Sequence, residues 1–163
     1  MNKQAKFKLR GALVMLVTAS VFLAAWWRQD DGVSEKAFFY DLREQKLFTA
    51  RRTSVPPIQG LHREPEGAVR AVVVSTTGNP ADKKSWKIAY LEKYSPRLKQ
   101  QMEAAQATNG SPAIGRVEGL AHRFVKRPKD PEWFPMSSAE AEIILNEWAV
   151  ANPQGLMPTV CTP

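Results

Sequence analysis

Val69-Arg70-Ala71-Val72-Val73-Val74 is the stretch that decides the fold of this 163-residue chain, because its β-branched residues predict a central strand. Thr77-Gly78-Asn79-Pro80 ends that strand with residues that are typical of turns. The stretch from Trp86 to Tyr94, WKIAYLEKY, alternates large apolar residues with polar or small ones over its first half. This alternation predicts a second central strand.

Two shorter segments before this core predict a β-hairpin. Residues 37–42 and 47–50 are aromatic and β-prone, and the charged tetrad 43–46 separates them. Proline donates no hydrogen bond to a sheet, so we expect the chain to leave the sheet at Pro56-Pro57. From there to Gly67 the sequence predicts a surface loop.

The first of two predicted amphipathic helices follows the second central strand. Ser95 suits the N-cap and Pro96 the first helical position, and Asn109-Gly110 ends the helix after about Thr108. Its apolar stripe consists of Leu98, Met102 and Ala105. One face of this helix should therefore be buried.

The second predicted helix lies near the end of the chain. Ser137 and Glu140 have the spacing of a capping box. The apolar stripe behind them consists of Ala141, Ile144, Leu145 and Trp148, and we expect it to be buried. Between the two helices, residues 111–119 predict a loop, and residues 120–126 and 132–134 predict another hairpin.

Strands and hairpins interspersed with two helices predict an α+β domain with a mainly antiparallel sheet. About 130 residues are enough for one domain with its own core. The expected parts of the chain are a basic tail (1–10), a transmembrane helix (11–27), a linker (28–36), the domain (37–151) and an irregular C-terminal tail (152–163).

The transmembrane helix is predicted by seventeen residues without a charge, GALVMLVTASVFLAAWW. Such a helix is about 26 Å long, close to the ~30 Å apolar core of a bilayer. The predicted membrane-anchor residues include Gly11, Leu16, Phe22, Trp26 and Trp27. The two tryptophans lie where an interfacial aromatic belt is expected. A cleaved signal peptide followed by secretion, and a pilus-like subunit, are the alternatives, but small residues before a cleavage point are poorly placed.

Charge predicts the orientation and argues against one class of partner. Lys3, Lys6, Lys8 and Arg10 precede the apolar run, so the N-terminus should stay in the cytoplasm and the domain should cross to the outside of the inner membrane. Residues 28–163 then carry nineteen basic and sixteen acidic residues, a net charge of +3 out of the +7 of the whole chain. That small excess does not predict nucleic-acid binding.

Cys161 is the one cysteine in the chain, so an exported domain would have no internal disulfide. It could pair with another chain as an intermolecular thiol or remain an exposed thiol on the tail. His62 and His122 are sixty residues apart and have no neighbours at ligand spacing, so neither a metal site nor a cofactor is predicted.

No catalytic motif stands out. Asp41, Glu92 and Glu118 lie near predicted strand ends and are the candidates for acid–base chemistry, although solvated charges are the more common outcome. The turn 75–79 lacks the lysine and second glycine of a phosphate loop. An aromatic set is expected to supply core or a contact surface: Phe38, Phe39, Tyr40, Trp86, Trp133 and Trp148.

Several segments together resemble a set of small bacterial proteins that have an N-terminal apolar segment and no established activity. The likeness covers roughly residues 38–163 and rests on FYDL (39–42), LFTA (47–50), GAVRA (67–71), YLEKYSP (90–96) and the ending Cys161-Thr162-Pro163. Related sequences often carry further cysteines near Thr76 and Asn152, which this chain lacks. The resemblance implies one coherent exported domain.

These observations predict a single-pass membrane protein of the bacterial envelope that binds or assembles with another envelope protein. Its ligand and its small-molecule substrate, if it has one, are not specified by the sequence. The alternative is an envelope hydrolase that uses acidic residues. Titratable groups that converge in one pocket would distinguish the enzyme from the binding module.

Overall fold

The two predicted central strands, β3 (Ala68–Ser75) and β4 (Trp86–Tyr94), form the middle of an antiparallel sheet in the computed structural model, which describes residues 34–163. The other strands of these residues are β1 (Lys36–Asp41), β2 (Lys46–Arg51), β5 (Arg123–Lys126), β6 (Phe134–Pro135) and β7 (Thr159–Val160). The strand order is β2-β1-β3-β4-β5-β6, and β7 also pairs with β3. Every pairing is antiparallel, as predicted.

Three α-helices accompany the sheet within the described residues: α1 (Pro96–Ala107), α2 (Arg116–Ala121) and α3 (Ala139–Asn146). A 3₁₀ turn, Lys83–Ser85, precedes β4. The expectation of a loop over residues 111–119 is therefore wrong in its second half, where the six-residue α2 begins. Gly115 precedes α2 without a side-chain cap, so no capping residue marked this helix in the sequence. The small antiparallel domain with a few helices agrees with the α+β class.

The helix starts follow from capping chemistry. Ser95 Oγ accepts a hydrogen bond from the Leu98 backbone N–H at 3.2 Å, as predicted for the start of α1. At α3 the N-cap is Ser138 and not Ser137, because Ser138 Oγ accepts from the Ala141 N–H. The one-residue shift places Glu140 at the second helical position, where it cannot complete the predicted capping box.

Both longer helices pack on the same side of the sheet. Tyr94 contacts Leu98 of α1, and Val125 packs in one buried cluster with Ala141 and Ile144 of α3. The stripes predicted for both helices are thus buried at these positions. Trp148 lies beyond the end of α3 and is only half-buried, so the expectation of a fully buried Trp148 is wrong.

The opposite side of the sheet carries a second core. Its buried residues are Phe38, Val69, Ala71, Val73, Leu91 and Cys161. Half-buried residues border it: Tyr40, Leu47, Trp86, Ile88 and Trp133. No helix of residues 34–163 contributes to this cluster, and we call this side of the sheet the helix-free face. Side chains alternate along a strand, so Leu91 faces this side while Tyr94 faces the helices.

The segment before β3 is less exposed than expected. Pro56 and Pro57 are buried because the chain crosses beneath α1. Pro56 O accepts from the Tyr94 N–H at 3.1 Å, and Pro57 O accepts from Lys99 Nζ at 2.7 Å. The prediction that the chain leaves the sheet here agrees with this path, but the prediction of a surface loop from residue 56 onward is corrected for the two prolines.

The C-terminal tail is also corrected. Residues 159–160 pair with Val74 and Ser75 as β7, and the Cys161 N–H donates to Val73 O at 2.8 Å. The reason is an open edge: β1 pairs only with residues 68–70 of β3, so the rest of that edge needs partners. Asn152 Nδ2 donates to Thr76 O at 3.0 Å and fixes the start of the tail.

Among residues 34–163, no helix has both the length and the apolar character needed to cross a bilayer. The transmembrane helix predicted for residues 11–27 lies outside the described residues.

Candidate functional site

A groove of about 360 Å³ lies where β4 leads into α1. Residues from three parts of the chain line it, including Glu66, Lys93, Ser95, Pro96, Phe124 and Trp133. Lys93 and Phe124 are paired across β4 and β5, so both project to the helix-free side. The groove therefore joins the start of α1 to the border of the helix-free face.

Two lysines flank the indole of Trp133 in this region. Lys93 Nζ lies 4.6 Å from the ring centroid and Lys126 Nζ lies 5.3 Å from it. In the register of β4 and β5, Lys126 lies opposite Leu91 and Phe124 lies opposite Lys93. The two lysines are therefore diagonal neighbours on one side of the sheet. Each ammonium makes a cation–π contact with the same ring, which holds Trp133 against the sheet.

The charge around these lysines is unbalanced. Burial lowers the pKa of Lys93, and the nearby Lys126 lowers it further, while Glu66 acts in the opposite direction. Glu66 already pairs with Lys99 at 3.3 Å, and Lys126 Nζ donates to Asp130 O at 2.9 Å. Within residues 34–163, no carboxylate lies within ion-pair distance of Lys93.

Ser95 and His122 form a hydrogen-bonded pair at the edge of the groove. Ser95 Oγ lies 2.9 Å from His122 Nδ1 while it accepts from the Leu98 N–H, and the Ser95 N–H donates to His122 O. His122 falls within the strand predicted over residues 120–126, but in the structure it ends α2 instead. These bonds fasten the start of α1 to the end of α2, and the described residues place no carboxylate within hydrogen-bond distance of His122.

The sequence favoured a solvated carboxylate at Asp41. In the structure this residue is buried instead, with 1% of its surface exposed. Its Oδ1 accepts from the N–H groups of Arg43 and Glu44, both at 2.9 Å, and its Oδ2 accepts from the Leu61 N–H at 2.7 Å. The backbone donors of Glu44 and Leu61 lower the pKa of Asp41 most, against the opposing effect of burial. Asp41 therefore holds two turns together with both oxygens occupied.

Glu92 and Glu118 have separate partners. Glu92 is 5% exposed and pairs with Arg123 at 2.8 Å, so the expectation of a solvated carboxylate is wrong here too. Glu118 pairs with Arg97 on the surface at 2.9 Å. Asp41 and Glu92 lie on β1 and β4, which β3 separates. The structure does not gather the three acidic candidates into one site.

The residues weighed as ligands are also dispersed. His62 lies in an exposed loop, 3.3 Å from Glu44. The thiol of Cys161 is buried, which raises its pKa, so pairing with another chain would require the tail to detach from β3. No group of three or more histidine, cysteine, aspartate or glutamate side chains in the described part of the chain is arranged to hold a metal ion.

The aromatic residues singled out in the sequence divide between core and surface. Phe38 and Phe39 are buried, and Phe38 packs edge-on against Trp86 with centroids 5.3 Å apart. Tyr40, Trp86 and Trp133 remain half-buried at the border of the helix-free face. The lysines beside Trp133 were missed, although their alternation with buried residues along β4 and β5 was a usable signal.

No protein-family model, curated protein or solved structure matches this chain.

Proposed function

We propose that this chain is a membrane-anchored binding or assembly module of the bacterial envelope that acts through protein–protein contacts. Residues 11–27 would anchor it in the inner membrane with the N-terminus in the cytoplasm and the domain outside. The half-buried residues that border the helix-free face, together with the groove at Lys93 and Trp133, form the surface that we assign to the partner.

The observation that supports this assignment is the set of large side chains that stay partly exposed on the helix-free side of the sheet. α1 and α3 cover one side of the sheet, whereas the other side is bordered by large half-buried residues such as Tyr40, Trp86 and Trp133. Aromatic residues concentrate at the centre of protein interfaces, because they supply contact area with little loss of conformational entropy.

The distribution of titratable groups supports binding over turnover. Hydrolysis by a pair of carboxylates, as in glycosidases, requires both carboxylates to face one substrate. Here Asp41 is saturated by backbone donors and Glu92 is paired with Arg123. Membrane attachment would also raise the effective concentration of an envelope partner, so that a contact of modest area suffices.

Site-specific photocrosslinking in cells tests the proposed surface. A photoreactive amino acid at Leu47 or Trp133, both at the border of the helix-free face, should capture one dominant envelope protein. Glu103 is the matched control, because it is exposed on α1 on the opposite side. Equal capture at all three positions, or capture at Glu103 alone, would contradict the proposal.

A second experiment tests the location. Protease added to spheroplasts should digest residues 28–163, and the protein should remain with the membrane after carbonate extraction. A soluble product that begins near residue 20 would favour signal cleavage and secretion. Protection of the domain from external protease would overturn the topology.

A further inference from the structure

Two lysines cluster around Trp133 at the border of the helix-free face, and one of them, Lys93, also lines the groove. Trp133 and Phe124 supply ring surfaces to this region, and Pro96 supplies a third apolar wall. Lys93 and Lys126 place their ammonium groups at 4.6 and 5.3 Å from one ring centroid. Two ammonium groups of like charge are thus held beside one indole ring, and the charge of Lys126 acts on Lys93.

This arrangement is electrostatically incomplete within the described residues. The cation–π contacts with Trp133 leave the charge of each ammonium group intact. Glu66, the acidic residue in the groove, is engaged by Lys99, and Lys126 has only a carbonyl partner. An anion bound beside Trp133 within reach of Lys93 and Lys126 would relieve their repulsion and add a hydrogen-bond acceptor for both ammonium groups.

We propose that Lys93, Lys126 and Trp133 form a carboxylate-binding subsite for an acidic side chain of a peptide segment that docks along the border of the helix-free face. The proposal rests on the proposed function, whose surface it makes specific. The apolar walls favour a glutamate, because its two methylene groups can lie against Trp133 while the carboxylate meets the lysines. Charge complementarity therefore selects an acidic peptide as the occupant.

The test uses the full chain in nanodiscs of zwitterionic lipid and an acetylated, amidated tetraglutamate peptide. The indole N–H signal of Trp133 is followed by NMR and assigned through the Trp133→Phe variant. We expect a saturable shift that weakens with added salt, as ion pairing requires. Tetraglutamine is the matched peptide control and should cause no comparable shift.

The variants separate a specific subsite from general positive charge. Lys93→Gln and Lys126→Gln should each weaken tetraglutamate binding at least fivefold, whereas Lys93→Arg should retain most of it. Lys87→Gln is the control, because Lys87 is an exposed lysine of β4, the strand that carries Lys93. This variant should bind tetraglutamate with the affinity of the parent protein. Thermal melts establish that each variant remains folded.

Three results would overturn the subsite. They are equal binding of tetraglutamine, unchanged affinity in Lys93→Gln, and Lys93-dependent binding of inorganic phosphate without binding of tetraglutamate. Crosslinking at Leu47 that persists while the peptide fails to bind would refute the subsite alone. Peptide binding without any crosslinked partner would instead refute the proposed function and leave the subsite in place.

Discussion

Arg123 donates from both Nε and Nη2 to a single carboxylate oxygen, Oε1 of Glu92, at 3.1 and 2.8 Å. The Arg123 guanidinium also lies 5.7 Å from the ring centroid of Tyr94. Glu92 is on β4 and Arg123 begins β5, so the pair ties together two strands next to the groove. The two Arg123 donors therefore share one acceptor oxygen of Glu92.

Loss of this pair should destabilise the domain. We expect Glu92→Gln to lower the free energy of unfolding by about 3 kcal/mol, because it leaves a partly buried guanidinium without its counter-charge. Urea denaturation followed by circular dichroism measures the change. Glu118→Gln is the matched control, since its exposed pair with Arg97 should contribute less than about 1 kcal/mol. Equal losses of unfolding free energy in the two variants would show that the buried Glu92–Arg123 pair contributes no more than the exposed Glu118–Arg97 pair.

Stability should fall at acid pH in part because of Asp41. Its pKa is lowered in the folded state by the N–H donors of Glu44 and Leu61, so its contribution is full above the unfolded value of about 3.9 and is lost as pH falls through the folded pKa. The free energy of unfolding, measured between pH 7 and pH 2, should show this decline. Asp41→Asn should be less stable at pH 7, and its deficit should shrink as the parent protein acidifies.

Gly60 should be intolerant of a side chain because of the same carboxylate. A Cβ added at Gly60 would lie 2.7 Å from Asp41 Oδ2, which is fixed by the Leu61 N–H. We expect Gly60→Ala to cost about 1–3 kcal/mol through this overpacking. At Gly115 a Cβ meets nothing within 4 Å, so Gly115→Ala should cost less. Similar losses in denaturant melts would argue against the close approach at Gly60.

Two adjacent isoleucines in α3 give an internal test of the packing. Ile144 is 0% exposed and packs with Val125, whereas Ile143 is 59% exposed. Ile144→Ala should lower the free energy of unfolding by about 2–5 kcal/mol, as large-to-small changes in a core do. Ile143→Ala should change it by less than about 1 kcal/mol. A reversed order would mean that α3 presents its other face to the sheet.

Cys161 should react slowly with a thiol reagent in the native protein. Its side chain is 4% exposed, and burial raises its pKa, so little thiolate is available at neutral pH. Urea should accelerate labelling strongly. Thr162→Cys in a Cys161→Ala background is the control and should label quickly, because residue 162 is exposed. Rapid labelling of native Cys161 would show that the tail does not stay on β3.

The central strands and the first helix were predictable because their signals are local. β4 has the predicted bounds, and α1 begins with the predicted Ser95 cap. Alternation and capping depend on a few neighbouring residues, so they can be recognised in a single sequence. The shift of the α3 cap from Ser137 to Ser138 shows the limit of this, since two adjacent serines offer similar local chemistry.

The groove and the buried carboxylates were not predictable because they depend on distant partners. Asp41 is buried through Leu61, and Glu92 through Arg123, thirty-one residues away. No local pattern distinguishes these residues from Glu118, which stays on the surface. The C-terminal tail was unpredictable for the same reason. Residues 159 and 160 pair with an edge of β3 that exists only once the sheet has assembled.

The hydrogen bond from Ser34 Oγ to Pro163 O, at 3.3 Å, belongs to the same docked tail and has a mechanical consequence. Residues 34 and 163 lie side by side. A force that pulls them apart would break the short pairing of the two-residue β7 with β3, one hydrogen bond after another, before the longer strand pairings open. The central strands would not be loaded in shear until that contact had opened. Tension between these two positions would thereby uncover Cys161 before the sheet itself unfolds.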